Sequence, residues 1–397
     1  MANRIMTTHV GSLIRPPQLM DMLHKIENKE PVDRGTFDKT LSEAVGEIVR
    51  QQAEAGVDVV SDGEFGKGRN WAFYIHARLS GMHTRPLTPE EAKDPLAAVG
   101  GGRDREAFPE YYAEADKATG LAGRLGNRFV CNGPIKYVGH DELNRDINNL
   151  KAAVARVQVE GAFLPVVAPA SALPNVKDEH YGDEKKLLFA LADALRVEYK
   201  TIVDAGLNVQ IDDAFFPFMQ EKLCPPMTLA QYRAWAQLRI DALNRALDGI
   251  PLEKSRYHIC WGSWSGPHVF DVPLKDIVDI MLQVNVGAYS FEAANVRHEH
   301  EWKVWKTAKL PAGKKILPGV ISHATNVVEH PELVAERLVR FASLVGRENV
   351  MASTDCGFAQ SPFARRVHPS IMWAKLRSMA EGARLASDEL WGRKAAA

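Results

Sequence analysis

Cysteine is scarce in this 397-residue sequence, with four in all, at positions 131, 224, 260 and 356. That is too few for a disulfide framework, so cysteine chemistry here is expected to be metal or thiol chemistry in a reducing, cytoplasmic setting. Charge of one sign is missing too. With 49 Lys and Arg against 50 Asp and Glu the formal net charge is −1. Such a chain has no long-range field to gather nucleic acid, phosphate or an anionic membrane, and neither nucleic acid nor membrane is expected as a partner. No apolar run reaches the roughly 18 residues of a membrane-spanning helix, and the opening MANRIMTTHVGSL lacks an apolar core of signal-peptide length. No G-x-G-x-x-G follows the first strand candidate, which argues against a dinucleotide fold. No C-x2-C pair is present either, and a purely structural zinc site usually brings its ligands in such pairs.

What the sequence does contain is a recurrence: an amphipathic helix, a Gly or Asn turn, then a short strand ending in polar residues. In 36–64 a helical stretch closes at Ala55-Gly56 and leads into VDVVSDGE, and in 184–213 a helix closes at Ala205-Gly206 ahead of LNVQIDD. Weaker versions lie at 161–169, 286–293, 316–322 and 349–356, and adding 4–12 and 256–262 gives eight strand candidates. Helical patterns at 142–160, 227–249, 272–283, 331–346 and 369–386 separate most of them. Alternating strands and helices imply parallel strands joined by crossovers, and eight such units favour a closed α/β architecture, the (β/α)8 TIM barrel, as one domain over 1–397. The stretch 65–127, rich in Gly, Pro and charge, breaks the rhythm after the second strand. An insertion at that end of a barrel strand lies on the active-site face. It reads equally as a lid or substrate clamp and as a subunit contact or surface excursion, the subunit contact implying a homo-oligomer.

The chemistry is carried by strand ends. In an extended strand His258 and Cys260 share one face while Ile259 takes the other. Ala288, Ser290 and Glu292 likewise share a face, opposite Tyr289 and Phe291. The segment Ser353-Thr354-Asp355-Cys356-Gly357 closes a third strand. Taken singly, each has an ordinary structural reading: a buried His, a solvated Glu, a Cys acting as a small hydrophobe. Together, on three strands of one barrel, His258, Cys260, Glu292 and Cys356 converge on a single mouth as good ligands for Zn²⁺. Their two thiolates and carboxylate would leave the metal a weak activator of water. Such a centre still holds a substrate thiol as thiolate at neutral pH, so thiol alkylation is the better expectation. Glu64 and Asp212 fall on the lumen-facing phase of their strands, where two carboxylates suit an ammonium group or salt bridges inside the barrel.

The same residues carry a family resemblance. H-x-C at 258–260, the strand-end Glu292 and D-C-G at 355–357 resemble the zinc site of the catalytic barrel of cobalamin-independent methionine synthase. Gly11-Ser12, Asp62-Gly63-Glu64, Gln210-Ile211-Asp212-Asp213, Pro318-Gly319-Val320 and His323 follow in the family's order, from about residue 5 to 390 apart from the insertion. The resemblance implies methyl transfer from a donor to the sulfur of homocysteine. His258, Cys260, Glu292 and Cys356 would be the zinc ligands. Ser12, Glu64 and Asp212 would hold the amino acid, and His323 would protonate the donor's leaving group. The expected partners are therefore a small-molecule thiol and a methyl or alkyl donor. There are departures: only the catalytic half is present, Asp-Glu-Pro-Ala reads Asp212-Asp213-Ala214-Phe215, and the tryptophan expected near folate is absent from 168–177. The last weighs against folate as donor. Epoxyalkane:coenzyme M transferase, a related single-barrel zinc enzyme, marks the alternative of alkyl transfer to another thiol. A zinc hydrolase and a non-catalytic thiol binder are the remaining readings. The segment 293–302, with His298, His300, Glu299 and Glu301, has residue types that could mimic a second metal site, and it reads rather as a solvated polar loop. Cys131 and Cys224 read as buried structural thiols.

Overall fold

The computed structural model describes residues 3–28, 30–68, 70–91, 102–118, 127–360 and 366–392. Within them run strands β1 (Met6–Thr7), β2 (Val59–Ser61), β3 (Met82–Pro86), β4 (Asn127–Cys131), β5 (Gly161–Val167), β6 (Val176–Asp178), β7 (Asn208–Asp212), β8 (Ser255–His258), β9 (Ala288–Phe291), β10 (Lys315–Ile321) and β11 (Met351–Thr354). Eight of these lie side by side in the order β1-β11-β10-β9-β8-β7-β5-β2, and every pairing is parallel. Each expected strand segment supplies one of them. The seam between β1 and β2 is drawn together by the Asp58 amide donating to the Thr7 carbonyl (3.1 Å) and the Thr7 amide donating to the Asp58 carboxylate (2.8 Å). The result is the nearly closed (β/α)8 barrel.

The helices are α1 (Pro17–Glu27), α2 (Arg34–Glu54), α3 (Arg103–Ala107), α4 (Pro109–Ala118), α5 (His140–Val154), α6 (Pro169–Ala172), α7 (Glu184–Asp204), α8 (Phe215–Leu223), α9 (Leu229–Leu247), α10 (Val278–Met281), α11 (Pro331–Val345) and α12 (Pro369–Trp391). None is long and apolar enough to cross a membrane. The expected helix-to-strand turns form for a backbone reason. Gly56 (φ 83°) and Gly206 (φ 90°) take the left-handed conformation that ends α2 and α7 and turns the chain into β2 and β7. At their other ends Asp33 and Asp183 accept the amides of Thr36 and Lys186 as N-caps.

One expectation needs correction, and one feature is new. The helix expected over 272–283 shrinks to a 3-10 turn at Leu274–Asp276 and the single turn of α10, broken at Ile277 (φ −132°). A second sheet of order β3-β4-β6 stands beside the barrel. The insertion supplies β3 and its last residue begins β4; residues 69, 92–101 and 119–126 of it lie outside the described set.

Close packing inside the barrel explains one glycine. A Cβ on Gly319 of β10 would sit 2.2 Å from Asp355 Oδ1 and 2.6 Å from Asp355 Cα. Backbone at that distance cannot step aside. We expect Gly319→Ala to cost about 1–3 kcal/mol, read as a lowered denaturation midpoint. An unchanged midpoint would mean that the turn at Asp355 is not fixed.

Candidate metal centre

His258 and Cys260 stand at the end of β8 and Cys356 just past β11. Among the described residues they form the group of His, Cys, Asp or Glu side chains that could hold a metal ion, with ligand atoms all within 4.8 Å of one another. The two sulfurs are 3.7 Å apart. His258 Nδ1 is hydrogen-bonded to Ser290 Oγ at 3.0 Å, which fixes the ring. Its Nε2 is buried with no hydrogen-bond partner, and an orphaned buried nitrogen facing two thiols is what a metal would satisfy. The residues present therefore fit a zinc ion. The contact moves the two sulfurs in opposite directions: the Cys260 S–H, then the nearby imidazoles of His258 and His323, hold Cys356 well below the usual thiol range against burial. The same contact, with burial, pushes Cys260 up.

Glu292 stands apart from this set. Its carboxylate accepts from the Trp261 amide (2.8 Å) and from Asn295 Nδ2 (2.6 Å). Burial first, then the charges of Asp355 and Cys356, push its pKa well above the carboxylate range, with His298 opposing. Glu292 is thus held next to the sulfurs by two donors of its own chain.

The other expected residues gather on the same mouth. Ser12 packs against the turn after Cys356, since a Cβ on Gly357 would fall 1.9 Å from Ser12 Oγ and Phe358 donates its amide to the Ser12 carbonyl (2.8 Å). Asp212 accepts from Gln210 Nε2 at 2.7 Å. Burial drives both Asp212 and Glu64 upward, and both feel the charge of Cys356. Glu64 sits in a left-handed conformation (φ 61°), pinned by Arg15, which donates to its carbonyl at 2.5 Å. His323 is buried, both ring nitrogens lack hydrogen-bond partners, and burial lowers its pKa.

The segment 293–302 is not a solvated loop. His298 and Glu301 are buried. His298 is clamped by Glu301 on Nδ1 (2.9 Å) and by Asp271 on Nε2 (3.2 Å), and it stacks on Trp261 with centroids 4.1 Å apart. Both nitrogens face carboxylates, so the cluster is an ion-paired clamp beneath the Glu292 donor. Burial alone would lower the His298 pKa; the hydrogen bonds its ring donates to Asp271 and Glu301 overcome it and raise it to about 10. A histidine raised in the folded state contributes stability fully below its unfolded pKa of about 6.5 and loses it as pH climbs through the folded value. We expect the unfolding midpoint to fall between those two values with a limiting slope of one proton, and His298→Gln to flatten that slope. Equal slopes in both proteins would refute the clamp.

The insertion is docked on the rim. Asp104 of α3 accepts the amides of His268 (2.8 Å) and Val269 (3.0 Å) in the loop after β8. Trp264 in that loop donates to Tyr112 of α4 at 3.0 Å. An aromatic row follows: Trp71 stacks on Phe215 (5.9 Å), which meets Phe218 (5.9 Å), which meets Trp264 (5.1 Å). Trp71 donates its amide to the Gln360 carbonyl (3.0 Å), and Gln360 Nε2 lies 3.9 Å from Cys356 Sγ. A cavity of about 450 Å³ opens behind, on Ala170, Asn175, Met219, Trp235 and Arg239. There the Trp235 ring is covered by the Arg239 guanidinium at 3.7 Å.

Residues 174–384, which carry all four expected zinc ligands, match the cobalamin-independent synthase catalytic domain. The chain belongs to that family. Among relatives of this synthase-family chain, a methionine synthase of Sulfolobus acidocaldarius is 24% identical over 97% of this chain and 93% of its own. A 2-hydroxypropyl-CoM lyase of Xanthobacter autotrophicus is 23% identical over 93% and 91%. A B12-independent methionine synthase from a Shewanella species, solved with selenomethionine, superposes with a TM-score of 0.71 at 20% identity over 98% and 99% of the two chains. One from Listeria monocytogenes gives 0.63 at 19% over 96% and 98%. These solved structures share the fold of this synthase-family barrel. What the sequence did not single out is the support around its centre: Lys67, Asn295, the clamp on His298, and the bonding of Asp355. The only signal was a basic residue three places after Glu64 and an Asp before Cys356.

Proposed function

We propose that this protein is a zinc-dependent thiol S-methyltransferase with homocysteine as first-choice acceptor. The observation that carries the reading is the orphaned His258 Nε2 facing the sulfurs of Cys260 and Cys356. Zinc, when bound there, supplies the acidity that keeps an added thiol deprotonated at neutral pH. The chain's own thiols bring negative charge to the site and so favour a thiol over water as the group activated. Glu64 and Asp212 take the acceptor's ammonium, and Ser12 packs beside its head. The aromatic row from Trp71 to Trp264 walls the donor side and excludes water from the methyl carbon. In the reaction the acceptor's S–CH₃ bond forms, the bond from methyl to leaving group breaks, and the proton given up by the thiol balances the one the leaving group needs. His323, with both nitrogens unengaged, takes that proton at one and gives it at the other. Holding two substrates in line supplies much of the rate.

A second reading, alkyl transfer to a thiol such as coenzyme M, has the likeness to the 2-hydroxypropyl-CoM lyase in its favour. The deciding experiment is a titration of Co²⁺-substituted protein with homocysteine, coenzyme M, glutathione and cysteine, following the sulfur-to-cobalt charge-transfer band. Homocysteine alone adding intensity supports the proposal; coenzyme M alone supports the second reading. No response to any thiol, with turnover of a hydrolysable substrate, would make the centre hydrolytic.

A further inference from the structure

Three residues after Glu64, in the tight turn that Glu64's left-handed backbone starts, Lys67 points back into the mouth. Its side chain is 8% exposed, and Nζ stands 3.6 Å from Glu64 Oε1. That is ion-pair range but not a hydrogen bond, and Nζ has no hydrogen-bond partner. The ammonium rests on the Tyr74 ring, 4.4 Å from its centroid. The Tyr74 hydroxyl donates to Glu198 at 3.0 Å, so the ring beneath Lys67 is fixed. Lys67 also makes the turn rigid through its backbone: its amide donates to the Glu64 carbonyl (3.1 Å) and its own carbonyl accepts from Arg15 (3.3 Å). Opposite, Glu64 Oε2 is likewise buried without a hydrogen-bond partner. Glycine at position 11 keeps that side clear, since a Cβ there would come within 3.2 Å of Glu64 Oε1. A buried cation and a buried carboxylate, each with bonding capacity left over and set side by side, form a site of two signs.

Resting on the thiol-acceptor reading above, we propose that Lys67 binds the carboxylate of a zwitterionic amino-acid thiol whose ammonium is taken by Glu64 and Asp212. An α-amino acid carries its ammonium and its carboxylate on one carbon, so the two charges are separated by a distance comparable with that of Lys67 from Glu64. Lys67, Glu64 and the acceptor's two charges then close a ring in which each faces its opposite, with Asp212 as the second partner of the ammonium. An acceptor with only an anion, such as a sulfonate, would satisfy Lys67 and leave both carboxylates uncompensated in a dry site, where an unpaired charge is costly. An acceptor with only an ammonium would leave Lys67 unsatisfied. The competing explanation, that Lys67 merely neutralises Glu64 and Asp212, predicts equal effects on every thiol.

The test uses Co²⁺-substituted full-length protein and four thiols: homocysteine; 3-aminopropane-1-thiol, which lacks the carboxylate; 4-sulfanylbutanoate, which lacks the ammonium; and coenzyme M. For the unmodified protein we expect homocysteine to bind roughly 10- to 100-fold more tightly than either truncated thiol, the weight of one charged hydrogen bond. Lys67→Met should weaken homocysteine by a similar factor and leave 3-aminopropane-1-thiol unchanged, with Lys67→Arg restoring part of the loss. Lys67→Met weakening both thiols alike, or neither, overturns the proposal. So does coenzyme M binding the unmodified protein more tightly than homocysteine. If Lys67→Met does not fold, Lys67→Arg and the thiol comparison keep the test: homocysteine binding the unmodified protein no more tightly than 3-aminopropane-1-thiol overturns the proposal. If no thiol perturbs the cobalt band at all, it is the thiol-acceptor reading that falls, and this inference with it.

Discussion

Replacing Cys356 with serine will give a protein that folds but no longer holds its metal, with zinc affinity down by more than about 100-fold and methyl transfer lost along with it. The substitution is nearly isosteric in a buried position, so the fold should be undisturbed. What disappears is the sulfur whose acidity the site raises, through Cys260 and the imidazoles of His258 and His323. A serine hydroxyl cannot ionise there, and metal affinity depends on deprotonated ligands. Losing even an outer-shell partner typically costs 10- to 100-fold in metal affinity, so a ligand should cost more. Glu292→Gln provides the contrast. The carboxylate of Glu292 is held by Trp261 and Asn295 and lies outside the His258–Cys260–Cys356 group. Glu292→Gln is therefore expected to lose less zinc than Cys356→Ser. Both are checked by metal analysis after dialysis against a weak chelator, with circular dichroism to confirm folding. Retention of zinc in Cys356→Ser would remove the centre from the proposal.

The barrel was legible because its rule is local. Strands β2 and β7 follow helices that a glycine terminates, at Gly56 and Gly206, and the strands that carry the site end in polar residues at the mouth. The pair His258 and Cys260 was legible for the same reason: a period of two fixes which side chains share a face. What a single strand could not reveal was what its neighbours do to it. Glu292 lies on the expected face, yet Trp261 and Asn295 claim its oxygens, and they come from the loops after β8 and β9. The histidines and glutamates of 297–301 look solvated in sequence because polar residues usually are. His298 and Glu301 are buried because Asp271, almost thirty positions earlier, returns to complete an ion-paired cluster. Strand β3 escaped notice because its burial does not alternate; it is held by pairing with β4. Position 355 shows the limit most clearly. As a letter in D-C-G it could be a ligand, an acid or a spacer.

Its bonding decides what it is, and that carries the second large expectation. Asp355 is fully buried. Its Oδ1 accepts the amides of Ala293 and Ala294, each at 2.8 Å. Its Oδ2 accepts the amide of Asn295 at 2.9 Å and the Asn295 side chain at 3.1 Å. That same side chain then donates to Glu292. One carboxylate past β11 therefore fixes the turn past β9, ties Glu292 to it, and does so from the residue preceding Cys356. Asp355→Ala would leave three backbone amides of that turn without acceptors in a dry interior, at about 1–3 kcal/mol each. Against a usual total of about 5–15 kcal/mol, this is a large fraction of the stability of the whole protein. We expect Asp355→Ala to accumulate poorly as soluble protein, or to unfold at a much lower denaturant concentration. Asp355→Asn can keep the two bonds at Oδ1 but presents an amide to the Asn295 N–H. It should fold with an intermediate midpoint and with its zinc content reduced, because the turn holding Glu292 is loosened while Cys260 and Cys356 are untouched. A midpoint for Asp355→Ala equal to that of the unmodified protein would show that the turn is held by other contacts. The order of zinc loss, Cys356→Ser above Asp355→Asn, then separates a residue that binds the metal from one that only positions its surroundings.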